Sequence, residues 1–185
     1  MGEMKVKRGK VHGFLGMTLD FSKQGQAKAT VCDCVRSIVV DFAKHDKSIV
    51  TTATSAANHL FEVNESTAQT SEEMAHVFHN FTAKVFSCEQ AHPDMQTAVK
   101  FSCSRVTCSD TDDWKKLVRL IQCLKGTPKL PLNLQADRVN VANWWVDAAC
   151  MVHSDCQSHT RGTLSLGKGS LHFFNQTEAK CKEFN

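Results

Sequence analysis

The side chains able to do chemistry cluster in two parts of the chain. Asp147 closes the apolar run Trp144-Trp145-Val146 and precedes Ala148 and Ala149. A carboxylate at the end of an apolar strand is a hard oxygen donor of the kind magnesium takes, and two-metal hydrolysis of phosphodiesters needs several of them around ions roughly 4 Å apart. Just downstream, Cys150, His153, Cys156 and His159 recur at every third position, all zinc-ligand types. Even spacing departs from the paired loops that zinc sites use. If residues 149–152 continue a strand, Cys150 and His153 also point to opposite faces. The other cluster is basic: Lys115, Lys116, Arg119 and Lys125 share one face of a helical pattern. Such a face contacts phosphates or is simply solvated. Gly167-Lys168-Gly169 lacks the phosphate-loop pattern. Nine histidines make accidental pairs common, and no Cys–His or Ser–His nucleophile stands out.

The elements that must position these groups follow from periodicity. Residues 5–31 alternate loosely around Gly25 and predict a β-hairpin. Cys34, Val35, Ile38, Val39 and Phe42 have helical spacing, predicting a helix over 32–43. Residues 44–70 are polar and read as a long loop. A helix should start near Ser71, where Glu72 and Glu73 suit its positive end. Pro93 opens a third, over 94–106. The clearest helix covers 112–125: Ser109, Asp110 and Thr111 are N-cap candidates, and Trp114, Leu117, Val118, Ile121 and Leu124 form its stripe. Gly126 and Pro128 end it. Strands are expected over 130–139 and 141–150, and another strand or hairpin over 162–174. Hairpin, then helices, then strands predicts an α+β fold, or two pieces joined near residue 130.

Composition bounds the partners. With 185 residues and 42% hydrophobic residues, the chain can bury a core. A net charge of +3 permits a polyanionic partner without requiring one. No apolar run is long enough to span a membrane, and the charged start has no apolar stretch after it, so no secretory signal is expected. Nine cysteines in irregular spacing, without such a signal, argue against a disulfide framework and for a reducing, intracellular compartment, cytoplasmic or nuclear. Tyrosine is absent.

Four stretches in order resemble the reverse transcriptase–ribonuclease H part of copia-type LTR retrotransposon polyproteins. VHGFLGMTL at 11–19 looks like the primer-grip strand. AHPDM at 91–95 looks like an R-P-D-I element. DWKKLVRLIQCLKGT at 113–127 looks like the helix ending in Y-L-K-G-T. Residues 145–169 look like the first strands of the tethered ribonuclease H domain, with its DA–S–TGG–G signature. The resemblance runs from about residue 11 to 171.

That resemblance implies a reverse transcriptase C-terminal fragment over 1–130, with a primer-grip hairpin and thumb and connection helices. It also implies a truncated ribonuclease H-like region over 131–185. Asp147 then corresponds to the first metal-ligating acid, with Mg2+ as the implied ion. Glu178, in Thr177-Glu178-Ala179, corresponds to the second, although the segment after Gly169 is shorter than the family pattern. Asp137 and Asp155 read as loop residues. Phe14, Leu15, Gly16, Lys115, Lys116, Arg119 and Lys125 become candidates for contact with an RNA–DNA hybrid. The family's paired polymerase acids lie upstream of the primer grip and have no counterpart here. Cys123 replaces the helix tyrosine, His92 the arginine of R-P-D, Cys150 an aromatic, and Arg161 a glycine. The expectation is therefore an inactive polyprotein fragment whose inherited role is RNA-directed DNA synthesis and hybrid hydrolysis. The alternative is a small zinc- or nucleic-acid-binding module without catalysis.

Overall fold

The computed structural model describes residues 8–47, 50–64, 66–137, 141–151 and 158–178. It is α+β, with helices and antiparallel sheets. The chain opens as a three-stranded meander: β1 (Val11–Phe14), β2 (Met17–Asp20) and β3 (Gln26–Thr30). One hairpin was expected, and there are two. The additional turn is Leu15-Gly16, between the paired residues Phe14 and Met17. Both turn residues have positive φ, +48° and +78°, the twist that a two-residue hairpin loop needs. Leucine at such a position lacks the Asn-Gly or Asp-Gly signal by which sequence announces this turn.

Four helices follow: α1 (Cys32–Phe42), α2 (Glu72–Phe86), α3 (Gln96–Ser104) and α4 (Thr111–Gly126). Their starts obey local chemistry. Ser71 Oγ accepts the Met74 N–H at 3.3 Å. Pro93 begins a 3-10 turn that runs into α3. The Asp110 carboxylate accepts the N–H groups of Asp112 and Asp113, each at 2.8 Å. Asp113 in return accepts the Asp110 N–H at 3.2 Å, completing a capping box.

The core is built by these helices. Val35, Ile38 and Phe42 of α1 meet Phe78, Phe81 and Val85 of α2, Val99 of α3, and Leu117, Leu120, Ile121 and Leu124 of α4. Phe42 is the pivot, edge-on to Phe81 at 4.9 Å and stacked with Trp114 at 5.3 Å. Such ring pairs add about 0.5–1.5 kcal/mol each beyond the area they bury. The predicted stripe of α4 is widened, since Leu120, Cys123 and Lys116 are also buried. For Lys116 the cause lies in the loop before α2. Thr52 N–H bonds Gln122 O at 3.5 Å, and Glu62 O accepts from Lys116 Nζ, so the loop covers a face that periodicity alone assigns to solvent.

After the helices the chain returns to the meander. β4 (Leu132–Ala136) pairs antiparallel with β3, and β7 (Gly167–Lys168) pairs with β4, giving the order β1-β2-β3-β4-β7. Strands on both sides of residue 130 therefore share one sheet, and the helices are an excursion between neighbours β3 and β4. Gly169 permits the end of this pairing. It has φ +77°, and a Cβ there would lie 2.1 Å from the Asn133 carbonyl oxygen.

The second sheet contains β5 (Asn143–Ala149), β6 (Ser158–Ser165) and β8 (His172–Glu178), in that order. Gly162 pairs with Phe174, whose ring occupies the space a Cβ would need, with an atom 1.8 Å from it. β6 passes into β7 through Leu166, whose carbonyl accepts the Asp137 N–H at 3.0 Å, so the two sheets share a corner. Ser165 holds that corner, accepting the Gly167 N–H at 3.0 Å and lying 2.6 Å from Gly169 O.

Candidate nucleic-acid interface

Three of the four basic residues predicted on α4 line one groove. Lys115, Lys116 and Arg119 face residues 55–60 across a cavity of about 400 Å³, with Trp114 in its wall and His59 opposite. Helical spacing brings Lys115 and Arg119 together, four residues apart. The loop supplies the other wall. Arg119 donates to Thr54 Oγ1 at 2.7 Å, while its buried Nε has no hydrogen-bond partner. Lys115 is largely exposed and pairs loosely with Asp112 at 3.8 Å. Such exposed pairs contribute little and yield readily to a phosphate.

Lys116 does not belong to this exposed set, and its place corrects the sequence reading. It is only 9% exposed. Its ammonium donates to Glu62 O, pairs with Asp112 at 3.3 Å and lies over the Phe101 ring at 4.8 Å. A cation so engaged serves the loop and the core rather than a ligand. Lys125 lies near the C-terminal end of α4, exposed and apart from the groove-lining residues.

The hairpin tip is a second exposed feature. Phe14 and Leu15 are 57% and 77% exposed, at the β1–β2 turn completed by Gly16. Apolar side chains on a rigid two-residue turn can pack on bases or sugars without first losing conformational freedom. Sequence reading named this tip and the α4 residues. It missed His59 and Trp114 as groove residues and Thr54 as the partner of Arg119. No local signal marks them, because a polar loop of this length gives no indication of which helix it will cover.

Asp147 and Glu178 are not brought together. Asp147 is exposed on β5, opposite Arg161 of β6, which in turn pairs with Asn175 of β8. Glu178 ends β8 opposite Ser158, three ladder positions away and of opposite parity. Residues of opposite parity in a ladder belong to opposite faces of the sheet. Among the described residues no group of three or more His, Cys, Asp and Glu side chains could hold a metal. Opposite Asp147 stands Arg161, whose guanidinium donates to Pro93 O at 3.3 Å, a cation where a two-magnesium centre needs further oxygen donors, and no catalytic step is assigned to Asp147. Asp137 carries the N–H that joins the sheets. Of the candidate zinc ligands, Cys150 is an exposed turn residue after β5. His153 and Cys156 lie outside the described residues, as do Asp155 and the side chain of His159.

Comparison with family models, with characterised proteins and with solved structures found no match for this chain. Among the described residues no helix is long and apolar enough to cross a membrane.

Proposed function

We propose that this chain is a catalytically inactive fragment of a copia-type LTR retrotransposon polyprotein, retaining a surface for RNA–DNA hybrid or other nucleic acid. Its inherited role is RNA-directed DNA synthesis and hybrid hydrolysis. The reading is carried by the agreement between motif order and element order. The primer-grip-like stretch contains an exposed hairpin tip, and the K-G-T stretch is α4. Asp147 sits on β5, the first strand in chain order of the antiparallel sheet β5-β6-β8, in the stretch that resembles the opening strands of a ribonuclease H domain. The implied magnesium is not assigned to this chain, because among the described residues no group of three or more His, Cys, Asp and Glu side chains could hold it.

A binding module without catalysis is the second reading, and the exposed basic residues of α4 favour it. Lys115, Arg119 and Lys125 would supply the positive charge and Leu15 an apolar contact. Fluorescence anisotropy with a labelled RNA–DNA hybrid, titrated at several salt concentrations, tests both readings. Binding should weaken with salt, and Lys125→Ala should reduce the log–log slope by about 1. Binding insensitive to salt, or none at low salt, removes the surface. Magnesium-dependent cleavage of the hybrid that Asp147→Asn abolishes would overturn the inactive assignment.

A further inference from the structure

Two cysteines outside the groove and the hairpin stand nearly within bonding distance. Cys34 lies in the first turn of α1, half-buried, and Cys88 lies in the turn following α2, fully buried. Their Sγ atoms are 3.0 Å apart. A disulfide needs about 2.05 Å, so an approach of roughly 1 Å separates the thiols from a bond. The turn is held in place locally. Cys88 N–H donates to Val85 O at 2.9 Å, and Ser87 Oγ donates to Lys84 O at 2.6 Å while lying 3.8 Å from Cys34 Sγ. No other role assigned to this chain uses either sulfur.

We propose that Cys34 and Cys88 are a redox-active pair that closes a reversible disulfide between α1 and the turn after α2. The oxidant is a low-molecular-weight disulfide of the glutathione class. The half-buried Cys34 is the sulfur an oxidant can reach. Its thiolate attacks one sulfur of the oxidant, forming a mixed disulfide and releasing one thiol. Cys88 then attacks the Cys34 sulfur, the protein disulfide forms, and the second thiol leaves with the Cys88 proton. Two protein thiols lose two electrons, and one external disulfide becomes two thiols. Burial, and after it the neighbouring Cys34, pushes the Cys88 thiol up to about 12. Cys88 therefore stays protonated and does not meet an oxidant itself; it attacks the Cys34 sulfur only as its proton is lost, and the 3.0 Å separation offsets its small thiolate fraction.

The bond would join residues 54 apart in sequence and tie α1 to α2 at one end of the core. Closing so long a loop restricts the unfolded chain, and the melting temperature should rise on oxidation by on the order of 10 °C. Cys32, two residues before Cys34 on the same helix, is the internal control, since residues two apart do not share a helix face.

The whole chain is equilibrated with oxidised glutathione, its remaining thiols are alkylated, and non-reduced peptides are mapped by mass spectrometry. The expected result is a peptide joining Cys34 to Cys88 that disappears on reduction. Cys34→Ser should abolish both the link and the thermal shift while leaving the melting temperature of the reduced protein unchanged. Glutathione retained on Cys34 beside an alkylated Cys88, a link through Cys32, or no oxidation at either sulfur would each overturn the proposal.

Discussion

Lys116 carries its charge against the core, and that position sets what its removal does. Its ammonium serves Glu62 O and Asp112 at once. Lys116→Ala leaves a carbonyl without its donor and a carboxylate without its nearest cation. The expected loss is about 1–3 kcal/mol, read as a lower urea midpoint at unchanged slope. Hybrid affinity of the folded variant should keep its salt dependence, in contrast to Lys125→Ala. His92 is a buried residue of another kind. Both ring nitrogens lack hydrogen-bond partners, and the ring is fully enclosed. Burial, opposed by Asp94, holds its pKa below the ordinary 6.5. The unfolded chain then binds the proton more readily than the folded one. Stability from the neutral ring is complete above pH 6.5 and is lost as pH falls from there through the folded-state value. Glu89 acts oppositely. Burial, opposed by Lys100, raises its carboxyl above 4.5, so its contribution fades as pH rises past that value. Chemical denaturation between pH 7.5 and 5.5 should show the histidine slope. His92→Leu should flatten it and cost nothing at neutral pH, because no hydrogen bond is lost.

At the scale of elements, α4 depends on a polar knot at its start. Arg105 Nε donates to Asp113 Oδ2 at 2.8 Å, and its terminal Nη2 donates to Asp110 Oδ2 at 3.3 Å and Cys108 O at 3.1 Å. The same carboxylates cap the helix, so the knot joins the end of α3 to the start of α4. Asp110→Ala removes the oxygen that accepts two N–H groups, and one partner of a mostly buried guanidinium. A cap alone is worth about 0.5–2 kcal/mol, and the variant should fall at or above the top of that range in thermal melts. Asp110→Asn should recover part of the loss by restoring an oxygen acceptor. This knot was half legible. The acids before the apolar stripe announce an N-cap, but Arg105 is eight residues from Asp113 and reaches it only because α3 ends in a turn.

Across the whole molecule, burial is unevenly shared. Among the described residues, the fully buried members of the main apolar cluster run from Val31 to Leu124. In the β5-β6-β8 sheet, Trp144, Trp145 and Val146 are all more than half exposed. Besides its own ladder bonds, that sheet meets the rest of the chain at the corner through Leu166, at the approach of β8 to α3, and through the Arg161 guanidinium, which donates to Pro93 O at 3.3 Å. Amide exchange followed by mass spectrometry should therefore be slowest in α1, α2 and α4 and faster in β5, β6 and β8. Equal protection would mean that another surface covers the tryptophans in solution.

Helix positions, the capping acids, the Pro93 start and the α+β class were all written in local residue order, because periodicity and end chemistry act over a few neighbours. So were the basic side chains of α4 and the apolar tip at Phe14-Leu15. Three things depended on contacts distant in sequence. The loop over α4 turned Lys116 inward and made a groove of Lys115 and Arg119. The pairing of β3 with β4 carried one sheet across residue 130. The β5-β6-β8 register separated Asp147 from Glu178 by parity. Each is a choice among partners tens of residues apart, and a chain's local pattern states what a segment can bury but not which segment will cover it.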